Sequence, residues 1–390
     1  MALGLAGLCA FLNLYSTQPL LPLLSRVFGV SKAGAGLTIS APTIAVALVS
    51  PFMGAAADQL GRRRTMVLAL CALAVPTLLA STATGISSLV FWRFLQGLAI
   101  PGVSAVGIAY AGAVWQGRGV GRAMAALVTG NVLGGFLGRF VTGFAAEHAS
   151  WRVGFLVLGA LTAAGAVAAA RLLPPEPRRS GAHLSVGASL RALSRRLGDR
   201  RLLAPLCVGF CVLFGQVATF TYVTFYLAGP PFLLSPSALS GIFAVYLVGA
   251  LVTPAAGGLI DRFGSRAVLL AAAATGLAGS ALTLSHALPV VIAGLILTCT
   301  AVFVSQSAAT AYLPTAVPAE IRSPASGLYL SCYYLGGAAA GVAPALTWNL
   351  GGWTACVALV MGVQVASGVV ALGLERAPRA STPVVASGGE

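Results

Sequence analysis

Two arginines stand where a charge is hardest to keep. Arg93 and Arg139 each lie inside a long apolar stretch of a chain that is 58% hydrophobic and only 8% charged. An arginine at the centre of a bilayer costs at least about 2.5–3.5 kcal/mol on insertion scales, so it marks a functional or fully paired position. Arg139 lies close enough to the end of its stretch to snorkel. All eight acids are Asp58, Glu147, Glu176, Asp199, Asp261, Glu320, Glu375 and Glu390, and none falls deep in an apolar stretch. Two cations without a carboxylate suit an anionic or neutral ligand better than a cation, which would lack a counter-charge. Tyr15 and Gln18 share a helical face with Pro22, and Gln96, Gln216, Tyr222, Tyr226 and Gln306 are further polar side chains within apolar stretches. They are candidates to line a cavity, with hydrogen bonding between helices as the alternative. Glu147 and His148 are adjacent at the end of one stretch and form a candidate proton relay, since imidazole titrates near neutrality.

These side chains need elements to carry them. A soluble domain averages about 25% charged residues, and 390 residues with a mean hydropathy of +0.93 lack the polar surface to be one. A bilayer core of about 30 Å takes about 20 apolar residues per helical span. Spans are expected near 2–24, 34–57, 65–84, 87–114, 123–145 and 151–173, and again near 202–227, 238–260, 266–286, 288–313, 323–346 and 350–373. The polar segment 174–201 separates two halves, 1–173 and 202–373, and a tail follows at 374–390. The expected fold is an all-α membrane protein of twelve helices.

The net charge of +15 has a topological cause rather than a nucleic-acid partner. With the N-terminus inside the cell, 18 of the 23 basic residues fall in inner loops and only Arg26, Lys32 and Arg152 in outer ones. Basic loops stay cytoplasmic, so both termini are expected there. The first stretch starts at Ala2 without a basic leader and reads as a retained span. The seven cysteines lie in apolar stretches without a completing ligand set, and no nucleotide loop or hydrolase triad appears. Neither a cofactor, a metal nor an enzyme activity is expected.

An internal repeat is legible. Gly54-x-x-x-Asp58-x-x-Gly61-Arg62-Arg63 recurs 203 residues later as Gly257-x-x-x-Asp261-x-x-Gly264-Ser265-Arg266, and Leu133-Gly134-Gly135 recurs 202 residues later as Leu335-Gly336-Gly337. Two matches at nearly one offset indicate a duplicated six-helix unit in parallel orientation, a design that places the ligand between its halves. Within the loop, Gly54 lets helix ends approach closely. Asp58 accepts hydrogen bonds from the arginines or caps the next helix. Pro42, Pro51, Pro76, Pro101 and Pro254 predict kinked spans.

The first copy of this loop resembles the most specific motif of the major facilitator superfamily, and a degenerate second copy is similar to that family's habit. Arg93-Phe-Leu-Gln96-Gly97 resembles its second motif, and Asn13-Leu-Tyr15-Ser-Thr-Gln18-Pro19-Leu-Leu-Pro22 resembles the opening of bacterial twelve-helix efflux permeases. With Pro318-Ala-Glu320-Ile-Arg322, the likeness covers almost the whole chain. It implies a monomeric secondary transporter of the bacterial inner membrane that works by alternating access and exports a small organic compound against protons. It also implies that the repeated loop, above all Asp58, Arg62 and Arg63, clamps the cytoplasmic side shut. Two departures stand out. Many relatives carry a proton on a carboxylate in span one, four or seven, which is missing here. In span five the family's antiporter motif is altered, with Gly135 in place of its proline and Arg139 in place of its last glycine. An uptake permease or facilitator without proton coupling is the alternative.

Overall fold

In a bilayer every backbone N–H and C=O must find its partner within the segment, so apolar runs of this length fold as helices. The computed structural model describes residues 1–115, 119–176, 199–318 and 322–374, and every regular element there is helical. Arg118, His183, Glu320, the arginines from 178 to 196 and the tail from residue 375 lie outside the described residues. The first set of helices is α1 (Ala2–Leu14), α2 (Leu21–Phe28), α3 (Lys32–Leu60), α4 (Arg62–Ala80), α5 (Ile86–Ala99), α6 (Pro101–Val114), α7 (Val120–His148) and α8 (Trp151–Leu172). The second is α9 (Arg200–Ala228), α10 (Pro236–Ile242), α11 (Val248–Leu282), α12 (Leu288–Ala316) and α13 (Arg322–Leu372).

Nine helical runs among the described residues are long and apolar enough to cross a membrane. Two of them, Pro236–Leu282 and Pro324–Leu372, hold 47 and 49 residues. Straight, each would reach about 70 Å, twice the bilayer core. Each instead turns at glycine, the first at Gly264 and the second at Gly351 and Gly352, and so supplies two spans. The first span is divided between α1 and α2. The fold therefore has twelve spans, as expected. Span one was expected as a single helix, and the difference has a cause: Pro19 has no N–H, and its ring collides with the carbonyl four residues back, at Tyr15. The helix stops at Leu14 and resumes at Leu21 after a short 3-10 turn.

The repeat is visible in the backbone. Gly61 (φ 86, ψ 132) and Gly264 (φ 79, ψ 156) occupy the same left-handed conformation at the turn after spans two and eight. Only glycine adopts it without cost. The second repeat packs helices in the same way twice: a Cβ at Gly134 would lie 2.2 Å from the Leu8 carbonyl oxygen, and one at Gly336 would lie 2.1 Å from that of Phe210. Leu8 and Phe210 are themselves 202 residues apart. Small residues at these points let backbones approach, which is how helices associate without a hydrophobic drive.

Spans two and eleven make a close seam between the halves. Ser40 Oγ donates to the Ala338 carbonyl at 2.6 Å, and Ser331 Oγ donates to that of Ala47 at 2.8 Å. A Cβ at Gly36 would come within 1.9 Å of the Gly341 carbonyl oxygen. Gly36→Ala must therefore push this seam apart. Overpacking of this kind costs about 1–3 kcal/mol, so the thermal unfolding midpoint of the purified variant is expected to fall by several degrees.

Candidate functional site

The interruption of span one leaves the last carbonyls of α1 without helical donors. Arg93 on α5, fully buried, fills that gap. Its Nη1 donates to the Asn13 carbonyl at 2.6 Å and its Nη2 to that of Leu14, while Nε donates to the Thr38 carbonyl at 3.0 Å. Nη1 also reaches Gln96 Oε1 and, at 3.4 Å, Ser16 Oγ. A cation at a helix C-terminus also meets the negative end of the helix dipole. The network continues through Gln96 to Thr77 (3.0 Å), Thr77 to the Asn13 side chain (2.9 Å), and Asn13 to Thr162 (2.9 Å). Spans one, two, three, four and six are thus tied at one buried point. Arg93 and Gln96, expected to meet substrate or coupling ion, sit inside this network with their polar atoms used.

Arg139 is differently employed. It lies on α7 with 2% of its surface exposed. Nε donates to Gln18 Oε1 at 2.7 Å, and Nη1 donates back to the Gly135 carbonyl of its own helix. The remaining surroundings are rings: its Cζ lies 5.0 Å from the centre of Tyr15, 4.9 Å from Phe243 and 4.6 Å from Tyr246. It forms no ion pair among the described residues, where both ion pairs belong to Arg62. Tyr15 and Gln18 belong to span one, Phe243 and Tyr246 to span eight, so both halves contribute. Gln18 spans the boundary itself, donating from Nε2 to Thr221 Oγ1 on α9 at 3.1 Å. Gln216, buried on α9, lies beside the Tyr246 hydroxyl.

Of the sequence candidates, the structure therefore assembles Tyr15, Gln18, Arg139 and Gln216. Tyr222 instead donates to the Gly341 carbonyl at 2.9 Å, and Tyr226 donates to that of Ser285 at 3.0 Å while stacking on Trp353. Gln306 is half-buried on α12 and makes no side-chain hydrogen bond among the described residues. Phe243, Tyr246 and Thr221 were not anticipated. The pair Phe243 and Tyr246, three apart in span eight, was the available signal for a ringed face.

The repeated loop binds its own half together. Arg62 Nη2 meets Asp58 Oδ1 at 3.2 Å, and its Nη1 donates to the Ala109 carbonyl at 2.9 Å. Glu176, rather than Asp58, caps α4, accepting the Arg62 N–H at 2.9 Å. Arg63 donates to the Leu173 carbonyl at 2.8 Å and to that of Ala170, satisfying the end of α8. Its counterpart Arg266 donates to the Leu374 carbonyl at 3.5 Å, at the end of span twelve. Asp261 is exposed. The role expected of Gly54 is not seen: a Cβ there, or at Gly257, would meet nothing within 4 Å.

At the opposite, arginine-poor face, Glu147 accepts the Ser237 N–H at 2.9 Å and so ties the end of α7 to the start of α10. The Ser235 and Ser237 side chains and that N–H push its carboxyl down to about 2. His148 stacks back on Phe144 at 4.1 Å and bonds through Nδ1 to the Phe144 carbonyl at 3.0 Å. The two residues expected as a relay thus point to separate partners. A carboxyl held below its ordinary 4.5 contributes its tie above that value and loses it only as pH falls through about 2. Glu147→Gln is expected to raise, several-fold, the rate at which an impermeant maleimide labels a cysteine placed at the buried Leu239. With Glu147 present that rate, divided by the rate of a free thiol at the same pH, should stay flat from about pH 5 to 8.

Comparison with known proteins settles the family. The sequence profile of the Major Facilitator Superfamily matches residues 3–245. The chain belongs to the Major Facilitator Superfamily. It is 30% identical over 377 residues to the inner membrane transport protein YnfM of Escherichia coli K12, covering 96% of this chain and 90% of YnfM. It is 29% identical over 355 residues to the MFS-type transporter YybF of Bacillus subtilis 168, covering 91% of this chain and 88% of YybF. Among solved structures, a point mutant of the nucleoside transporter NupG superposes with a TM-score of 0.80 at 14% identity, covering 95% of this chain and 98% of that one. The human organic anion transporter MFSD10 does so at 0.72 and 21% identity, with the same coverage. These likenesses show the fold. As a Major Facilitator Superfamily member, the protein is a multi-pass membrane transporter and not an enzyme.

Proposed function

We propose that this superfamily member is a secondary active transporter of the bacterial inner membrane, with both termini cytoplasmic, that exports a small organic anion by alternating access. The observation that carries the substrate class is Arg139: a buried cation, touched by both halves, that has hydrogen bonds and ring faces but no counter-ion among the described residues. A buried charge without a partner is unfavourable, and an anion arriving between the halves supplies the partner. MFSD10, by its name an organic anion transporter, agrees with this class, whereas NupG, by its name a nucleoside transporter, represents neutral cargo. Residues 1–173 and 202–373 are the moving halves of a monomer, 174–201 the cytoplasmic link and 374–390 the tail. The loops with Asp58, Arg62 and Arg63 and with Asp261 and Arg266 brace the cytoplasmic ends of each half as they separate. Export against protons rests on the resemblance to efflux permeases.

A second reading, a facilitator or uptake permease indifferent to protons, has one observation in its favour: none of the eight acids lies deep in a span. Transport of labelled organic anions into proteoliposomes separates the two. Under proton-coupled exchange, an acid-interior gradient drives accumulation against concentration. Equilibration without accumulation, unchanged by the gradient, would leave the facilitator standing and remove the antiporter.

A further inference from the structure

We infer that the Arg139 site takes an aromatic monocarboxylate: one negative charge, on a flat apolar body. The inference rests on the anion reading above and narrows it. The limit to a single charge comes from counting the cations. Every guanidinium nitrogen of Arg93 is already bonded, to the carbonyls of Asn13, Leu14 and Thr38 and to Gln96. Lys32 lies at the arginine-poor end, over the rings of Trp348 (5.0 Å) and Phe225 (5.7 Å). Of these two buried guanidiniums, Arg139 alone has a nitrogen, Nη2, that makes no hydrogen bond among the described residues. A carboxylate placed there meets one opposite charge. A second carboxylate on the same ligand would be buried without one, which is the costly arrangement.

The flat body follows from what surrounds the cation. Three ring faces cover it, and Phe220 backs two of them, with ring centres 4.6 Å from Tyr246 and 6.0 Å from Phe243. In this conformation the protein's own rings occupy the place of a ligand on Arg139. A charge-assisted pair with a carboxylate is stronger than contact with a ring face, so an arriving carboxylate displaces them. The displaced faces of Tyr15, Phe243 and Tyr246 are then free to stack on the ligand's body. The Tyr15, Tyr333 and Tyr334 hydroxyls, in the same buried cluster, make no hydrogen bond among the described residues and offer polar contacts at its edge. A sugar-like body would waste these faces, and a neutral one would leave Arg139 unpaired.

The test is equilibrium binding to the full-length protein in nanodiscs, followed by calorimetry. Benzoate, phenylacetate and 1-naphthoate are compared with acetate, the dianion phthalate and the neutral isostere benzamide. Wild type, Arg139→Gln, Tyr246→Leu and Phe243→Leu are each checked for a cooperative thermal transition, the two ring variants covering for each other if one does not fold. At least one aromatic monocarboxylate is expected to bind about tenfold or more tightly than acetate, phthalate or benzamide. Arg139→Gln should remove that binding, and a folded ring variant should weaken it about tenfold without restoring phthalate. If phthalate or acetate binds as tightly and Arg139→Gln abolishes it, the aromatic monoanion is overturned while the anion reading survives. Benzamide binding equal to benzoate, and indifferent to Arg139→Gln, overturns both. Failure of all three aromatic monocarboxylates overturns the narrowing.

Discussion

Arg139→Gln is expected to abolish transport while leaving the protein at least as stable as its parent. The two effects have one cause. Arg139 is held without a carboxylate partner among the described residues, so the resting protein bears the cost of its desolvation. Glutamine can still reach Gln18 and removes that cost, so the thermal midpoint should hold or rise. The substrate loses its only buried counter-charge. Truncating one member of a buried charge pair costs about 2–5 kcal/mol, or about 30- to 5,000-fold in affinity. Anion counterflow in proteoliposomes, read beside thermal unfolding of the same preparation, decides it. A variant that transports normally, or one that loses transport only because it unfolds, removes Arg139 from the substrate site.

Arg93→Gln should show the reverse order of effects. Here the guanidinium is paired, by geometry rather than by charge, with backbone carbonyls, of which only that of Asn13 has a further donor, Ser16. Its loss strands the Leu14 and Thr38 oxygens in the interior of the membrane and leaves that of Asn13 to Ser16 alone. Each unsatisfied buried group costs about 1–3 kcal/mol, so the two together take a large share of the stability of an ordinary domain. The expected result is loss of the monodisperse folded peak in size-exclusion chromatography. Arg93→Lys should recover only part of it, since one ammonium cannot bridge two carbonyls of span one and one of span two. Normal folding with impaired transport would instead place Arg93 at the substrate.

The contrast between these arginines shows what a sequence can and cannot tell. Hydropathy and the arginine count are properties of whole segments, so twelve spans and the duplicated loop could be read from the chain directly. That two arginines inside spans matter was also legible. What separates them is which oxygen atoms surround each, and that depends on the stop in span one. Pro19 announces the stop, but not that Arg93 closes it. The rings of span eight were silent for another reason: aromatic residues are ordinary in apolar helices, and only the approach of span five gives Phe243 and Tyr246 a cation to cover. Gly54 errs the other way, a small residue whose spacing suggested contact where the structure leaves open space.

The duplication has a consequence for how the halves can move. At the repeat offsets, Ser40 corresponds to Phe243 and Gly341 to Arg139. The seam of spans two and eleven therefore has a hydroxyl and a glycine where the seam of spans five and eight has a ring and a guanidinium. The first meets backbone to backbone at Gly36 and Gly341; the second also closes at Gly143, where a Cβ would lie 2.6 Å from the Pro236 carbonyl oxygen, but at Arg139 and Phe243 it is filled by two large side chains. Two edges of one interface thus differ in grip at the positions the repeat relates. Under the proposed alternating access, the edge gripped by hydroxyls and carbonyls is the one expected to hold, and the edge gripped by a cation among rings is the one an arriving anion can loosen.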